Sequence, residues 1–212
     1  MGTEERRQRE KERRRRDIIE AARVLFTSKG YRDTTIDDVA RTTELARGTV
    51  YLYFENKESL YATVLEEGLE LLLNLIQTSL DPEADPLTNI LRAHDAFLKF
   101  HDEHPEYYGI LIIDKLGIAE AVPREQMERI ADKNRVMRDS IGRLIQQGID
   151  EELFRPMPVA DAAALQMGIA MGFARMLDLC VDSEPLFSSR TDARELFHAW
   201  IAAALLARGP IE

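Results

Sequence analysis

Thr34-Thr35-Ile36-Asp37-Asp38-Val39-Ala40, continued by Arg47-Gly48-Thr49-Val50-Tyr51-Leu52-Tyr53-Phe54 and Asn56-Lys57, is the stretch from which the fold follows. Thr35 is placed to cap a helix, and Asp37 and Asp38 in its first turn suit the positive end of the helix dipole. Ile36, Val39 and Ala40 make an inward face. A turn is expected at Thr43-Glu44, with Leu45 returning to the core, and then a second helix from about Ala46 to Phe54. That helix carries an arginine, a threonine and two tyrosines where a purely structural one would carry Glu, Lys and Ala. Hydrogen-bonding side chains on a short helix suit a DNA groove.

Outward from this stretch the periodicity is helical nearly everywhere and period-2 alternation is missing. Upstream, Glu5/Arg9, Glu10/Arg14 and Glu12/Arg16 stand at i,i+4 and support a solvated helix start. Ile18, Ala22, Leu25 and Phe26 follow as an apolar stripe, and Lys29-Gly30 closes the helix. Downstream, Asn56 caps a long helix from Lys57 to about Leu80, which Asp81-Pro82 ends. Further helices are expected at about Pro86–His104, Glu106–Leu116 and Pro123–Asp150, with a loop from Gly117 to Val122. Then Ala160, Ala164, Gly168 and Gly172 recur every fourth residue. They form a stripe of small side chains where another backbone can approach, from a second subunit or from within the same one. A last helix, about Asp192 to Ala207, carries Leu196, Phe197, Trp200, Ala203 and Ala204.

The 212 residues have a net charge of −10, which taken whole argues against nucleic acid. The charge is divided unevenly: residues 1–58 carry 14 Lys+Arg against 12 Asp+Glu, a net of +2, and the remainder carries −12. A chain that holds phosphate at one end gains by repelling it from the other. One cysteine, Cys180, excludes an internal disulfide and suits a reducing cytosol. The charged N-terminus has no apolar signal segment. The longest uncharged run near the C-terminus, Ala162–Ala174, is 13 residues, short of the roughly 20 that a membrane span needs. A cytoplasmic protein without a membrane segment is expected. Glycine-rich phosphate loops, nucleophile elbows, paired metal motifs and a Cys–His arrangement are all missing, so no enzyme is expected.

Taken in order, Ile18-Ile19-Glu20-Ala21-Ala22, Leu25-Phe26, Lys29-Gly30-Tyr31, Thr34-Thr35-Ile36, Val39-Ala40, Arg47 to Phe54 and Asn56-Lys57-Glu58-Ser59-Leu60 resemble the TetR family of bacterial transcriptional regulators, in its ligand-responsive, AcrR-like form. The resemblance covers Arg13 to Leu72 by motif and the rest by architecture. It implies an all-α fold of about nine helices. Residues 1–56 would be a helix-turn-helix DNA-binding domain, with a basic arm at 1–16 and the helix-turn-helix at 35–54. Residues 57–212 would be a ligand-binding and dimerisation domain. Two departures stand out: Glu44 where the family places glycine in the turn, and Ala46 where it places serine or threonine before the reading helix.

The resemblance implies DNA contacts by Thr35, Arg47, Gly48, Thr49, Tyr51, Leu52, Tyr53 and Lys57. Arg47 can take guanine O6 and N7 bidentately or pair with a phosphate; Thr49 offers a hydroxyl and a methyl. Gly48 lets the helix sit close to a sugar-phosphate ridge, or relieves crowding against the first helix. Tyr51 is part core and part groove, Tyr53 a phosphate contact, and Leu52 a partner for a thymine methyl or a plain exposed residue. Thr35 and Lys57 begin helices whose free N–H groups favour phosphate. The run Arg13-Arg14-Arg15-Arg16 lies along the backbone, reaches a minor groove, or is a solvated face.

For the remainder, the resemblance implies a palindromic double-stranded operator, a homodimer and a small-molecule effector, with no cofactor. The dimer would form through the last two helices, at Ala164, Gly168, Gly172, Phe197, Trp200 and Ala204. Candidates for the effector cavity are Phe97, Phe100, His101, Tyr107, Tyr108, Met127, Met137, Met167 and Met171, residue types that also fill ordinary cores. His94, His101 and His104 could be imagined around a metal, but a histidine capping the helix before Pro105 is simpler, and no metal site is expected. The expected function is a repressor released from its operator by a small molecule. A regulator with no effector, or an activator, is the alternative.

Overall fold

The computed structural model describes residues 3–112, 121–181 and 184–207. Their order is α1 (Thr3–Ser28), α2 (Ile36–Thr42), α3 (Arg47–Tyr51), α4 (Lys57–Ser79), α5 (Pro86–Glu103), α6 (Pro105–Ile112), α7 (Arg124–Asp150), α8 (Val159–Leu177), β1 (Cys180–Val181), β2 (Glu184–Pro185) and α9 (Arg190–Leu205). The fold is all-α; among the described residues the only sheet is the two-residue antiparallel pair β1–β2, which the periodicity did not announce. The end of the expected sixth helix and most of the expected Gly117–Val122 loop lie outside the described residues. The chain packs into two compact units, one built from residues up to Leu71 and from His104–Lys133, the other from Leu72–Glu103 and the residues from Asn134 onward. The boundary expected from the sequence is at 56/57.

In the first unit, Ile18, Ala22 and Phe26 of α1 are buried with Ile36, Val39, Val50, Phe54 and Leu60. Gly30, at φ 86°, turns the chain out of α1 in the left-handed region that glycine occupies freely. Phe26, Tyr31 and Tyr61 meet ring to ring, with centroids 4.8–5.8 Å apart. The Tyr61 hydroxyl donates to Ile110 O at 2.8 Å, tying α4 to α6. At the start of α7, buried Gln126 donates to Ser59 O and Thr63 Oγ1 at 3.1 and 2.9 Å. Arg129 pairs with Glu66 at 2.7 Å, and Lys133 pairs with Glu70. A row of polar contacts thus holds α7 along the first turns of α4.

In the second unit α5 packs on α8 and α9. Phe173 and Phe197 stack face to face with centroids 4.2 Å apart, and His94 meets Phe197 edge-on at 5.2 Å. The segment after α7 is pinned by a short antiparallel bridge: Arg155 N donates to Leu205 O and Ala207 N to Leu153 O, both at 3.0 Å. Glu152, at φ 58°, makes the turn. The reversal lays Phe154, 2% exposed, across Gly148. A Cβ at Gly148 would lie 2.2 Å from the Phe154 ring. Gly148→Ala is therefore expected to cost about 1–3 kcal/mol, as overpacking does, read as a lower urea midpoint with an unchanged slope.

Candidate nucleic-acid interface

The turn and the short α3 are set by local chemistry. Thr35 caps α2 in a full capping box: its hydroxyl accepts from Asp38 N at 3.1 Å, and its own N–H donates to Asp38 Oδ2 at 3.0 Å. Lys29 reaches the same carboxylate at 2.7 Å. The Lys29 ammonium first, then Thr35, hold the Asp38 carboxyl well below the usual range. Leu45 N donates to Ala40 O at 2.8 Å and swings the chain into α3. Glu44 makes this turn at φ 55°, where glycine is easier, at a cost of roughly 1 kcal/mol. Ala46, as expected from its missing hydroxyl, provides no side-chain cap to α3. Val50 and Phe54, 0% and 3% exposed, anchor the helix from below.

What remains outside is the expected reading surface. Arg47, Gly48, Tyr51 and Leu52 are exposed, Leu52 to 81%, while Thr49 and Tyr53 are half-buried. The α-helix itself is shorter than the sequence suggested and ends at Tyr51; Leu52 and Tyr53 form the turn beyond it. A methyl group on Gly48 would meet nothing within 4 Å, so crowding against the first helix does not require glycine there. Arg47 donates to Asp37 at 3.2 Å and to the Tyr51 hydroxyl at 3.2 Å, and its guanidinium lies 5.5 Å from the Tyr51 ring centre. The Tyr51 contact and the Asp37 charge push its pKa up. Sequence reading missed Asp37 as this partner, because the pair is ten residues apart across a turn.

Lys57 and Thr35 serve the protein itself. The Lys57 ammonium donates to the carbonyls of Tyr31, Thr34 and Arg32 at 2.9, 3.0 and 3.4 Å and sits 4.2 Å over the Tyr31 ring. Its three N–H groups are spent on the α1–α2 loop, and Thr35 is spent on the cap of α2.

The other candidates divide between the units. Tyr107, Tyr108 and Met127 belong to the first, and only Tyr108 of the three is buried. Phe97, Phe100, His101 and Met137 are buried in the second; Met167 is half-buried and Met171 is 39% exposed. His101 directs Nδ1 to Asp102 and Nε2 to Asp178, at 2.9 and 2.8 Å, and Arg190 reaches both carboxylates. His94 is buried against Ile90 O, and burial pushes its pKa down. His198 Nε2 lies 3.1 Å from Asp95 Oδ1 but out of line, so among the described residues neither atom has a hydrogen-bond partner, nor does buried Gln166 Oε1. Among the described residues no three His, Cys, Asp or Glu side chains gather as a metal would need. Of the expected dimer residues, Ala164, Gly168, Gly172, Trp200 and Ala204 are exposed, whereas Phe197 is buried beneath them. Methyls on Gly168 or Gly172 would meet nothing within 4 Å, so packing within the chain does not account for that stripe.

Residues 18–64 match the family model described as bacterial regulatory proteins, tetR family. The chain belongs to the TetR family. This TetR-family chain is 29% identical over 163 residues to the HTH-type transcriptional regulator YfiR of Bacillus subtilis, spanning 72% of one and 74% of the other. It is 26% identical over 143 residues to the transcriptional repressor KstR2 of Mycobacterium tuberculosis, spanning 68% and 70%. In fold it is similar to a tetR-family regulatory protein of Rhodococcus RHA1, with a TM-score of 0.76 and 19% identity over 92% and 98% of the two chains. It is similar also to AibR, solved with isovaleryl coenzyme A and operator DNA, with a TM-score of 0.68 and 17% identity over 91% and 98%. It is a DNA-binding transcriptional regulator. Among its described residues no helix is long and apolar enough to cross a membrane.

Two expectations follow. Arg47→Ala is expected to lose about 1–3 kcal/mol of discrimination between sites with less loss of general affinity, while Lys57→Ala lowers the urea midpoint; binding curves on selected and random duplexes, with melts, separate the two. Asp38 has a depressed native pKa, so it stabilises above the ordinary carboxylate value of about 4 and loses this as pH falls. Asp38→Asn should be less stable than the parent at pH 7, and the gap should close on acidification below about 4.

Proposed function

We propose that this TetR-family regulator is a homodimeric repressor that a small molecule releases from a palindromic operator. The observation that carries the dimer is the open face of α8 and α9. Trp200 is 73% exposed, Leu165 62% and Leu196 56%, around the exposed glycines of α8. A contiguous apolar face of this kind marks an association surface, and an interface centred on an exposed tryptophan concentrates its energy there. Dimerisation also answers a need of DNA recognition, since one reading helix of five residues makes few base contacts and two heads on a half-palindrome double them. Met171 belongs to this face by its exposure, better than to an effector cavity.

Arg47 reads a base edge once it leaves Asp37, Thr49 and Leu52 add groove contacts, and Tyr53 takes a phosphate. The effector acts by population shift: a ligand that prefers the head spacing unsuited to the operator lowers DNA affinity by its differential affinity for the two states. Phe97, Phe100 and Met137 would supply apolar lining, and Gln166 Oε1, buried without a hydrogen-bond partner among the described residues, would orient a ligand. That AibR was solved with isovaleryl coenzyme A and operator DNA makes this acyl thioester a sensible first probe.

Trp200→Glu is expected to convert the dimer to monomer at micromolar concentration in sedimentation equilibrium, and to weaken operator binding at least ten-fold; a variant still dimeric would sink the interface. Release is checked by anisotropy of a selected duplex titrated with acyl-coenzyme A probes.

A further inference from the structure

The amino-terminal half of α1 has no core to cover. Residues 3–16 hold eight basic and four acidic side chains, yet they continue the same helix that buries Ile18 and Ala22. Arg7, Lys11 and Arg14 stand at helical spacing on the stripe that Ile18 and Ala22 extend into the core. That face opens into a cleft of ≈ 440 Å³ lined by Arg6, Arg7, Glu10, Lys11, Arg14 and Tyr53. Next along α1, the Arg15 guanidinium lies 5.3 Å from the centre of the buried Phe54 ring, the neighbour of Tyr53 in the chain.

The one acid in the cleft is already committed. Glu10 accepts from Arg13 at 2.8 and 3.2 Å and from Arg14 at 3.0 Å, and the Arg13 and Arg14 contacts bring its pKa down to about 2. Among the described residues none forms an ion pair with Arg6, Arg7 or Lys11. Three cations facing one open cleft repel one another unless an anion sits between them. The cleft shares Tyr53 with the segment just beyond α3, so the anion nearest to hand is the DNA backbone that α3 approaches.

We propose that Arg6, Arg7 and Lys11 form a phosphate clamp, with Tyr53 at its inner edge, that carries DNA contact outward from α3 into the flanking duplex. The proposal rests on the DNA-binding reading. A helix about 10–12 Å across does not enter a minor groove about 6 Å wide, so the rod lies across the backbone and takes phosphates with its side chains. The stretch of α1 ahead of Ile18 is roughly 22 Å long at about 1.5 Å per residue, a reach of about six base pairs. Such contacts add affinity and salt dependence without sequence information.

The test compares two double variants of the full chain, each removing two charges: Arg7→Gln with Lys11→Gln inside the cleft, and Arg9→Gln with Arg16→Gln on the opposite side of the rod. Glutamine preserves helix propensity, and circular dichroism checks the fold. Binding to a random-sequence 40-base-pair duplex is followed by anisotropy between about 50 and 200 mM salt. The cleft pair is expected to lower the slope of log affinity against log salt by about 2, near 0.9 per phosphate, and to weaken binding roughly ten- to a hundred-fold. The opposite pair is expected to change the slope by less than about 0.5. Equal losses in the two pairs, or none in the cleft pair, overturn the clamp. A parent chain that fails to bind any duplex overturns the DNA-binding reading itself.

Discussion

The Lys57 ammonium sits where three backbone carbonyls of the α1–α2 loop converge. A loop carbonyl turned inward must find a donor or lose about 1–3 kcal/mol, and one lysine provides for Tyr31, Arg32 and Thr34 together. The same loop is held from its other side by the Tyr31 hydroxyl, which donates to Glu58 at 2.6 Å. Asn56 caps the helix that bears both residues, accepting from Ser59 N at 2.7 Å. The first turn of α4 is therefore the platform on which the α1–α2 loop is built. The placement of α2, and through its turn of α3, follows from it.

From that platform the exposed surface of α3 is made with little material. α3 has five residues and could not persist alone, since short helices in water are marginal. Val50 and Phe54 hold it in place, and a left-handed Glu44 and an uncapped Ala46 are strains that this packing absorbs. Arg47 is held by Asp37 and Tyr51 in the free protein, which limits its freedom before any base is met. An acid beside Arg47 also offsets part of its charge on that surface.

The second unit has the opposite economy of surface. Phe173, Phe197 and Ile201 turn inward, leaving Leu165, Leu196 and Trp200 more than half exposed among the described residues. Both sets come from the same two helices.

Much of this was legible in the chain. Helix number, the Thr35 and Asn56 caps, the glycine at position 30 and the turn at Glu44 all depend on neighbours within four residues, so spacing alone determined them. The polarity of the first 58 residues against the rest was a matter of counting. Tertiary structure decided what each polar group does. Lys57 reads as a free charge for phosphate until the loop carbonyls are brought to it from some 25 residues away; Arg47 reads as unencumbered until Asp37 is folded beside it. The basic arm reads as a diffuse patch until α1 is continuous and Arg6, Arg7 and Lys11 share a cleft with Tyr53. The stripe Ala164/Gly168/Gly172 fits inner or outer packing until α5 is seen to cover the other side of α8. Local sequence sets which dihedrals and caps are available, whereas partners for charges and faces come from residues distant along the chain, and only the folded packing brings them within a few ångströms.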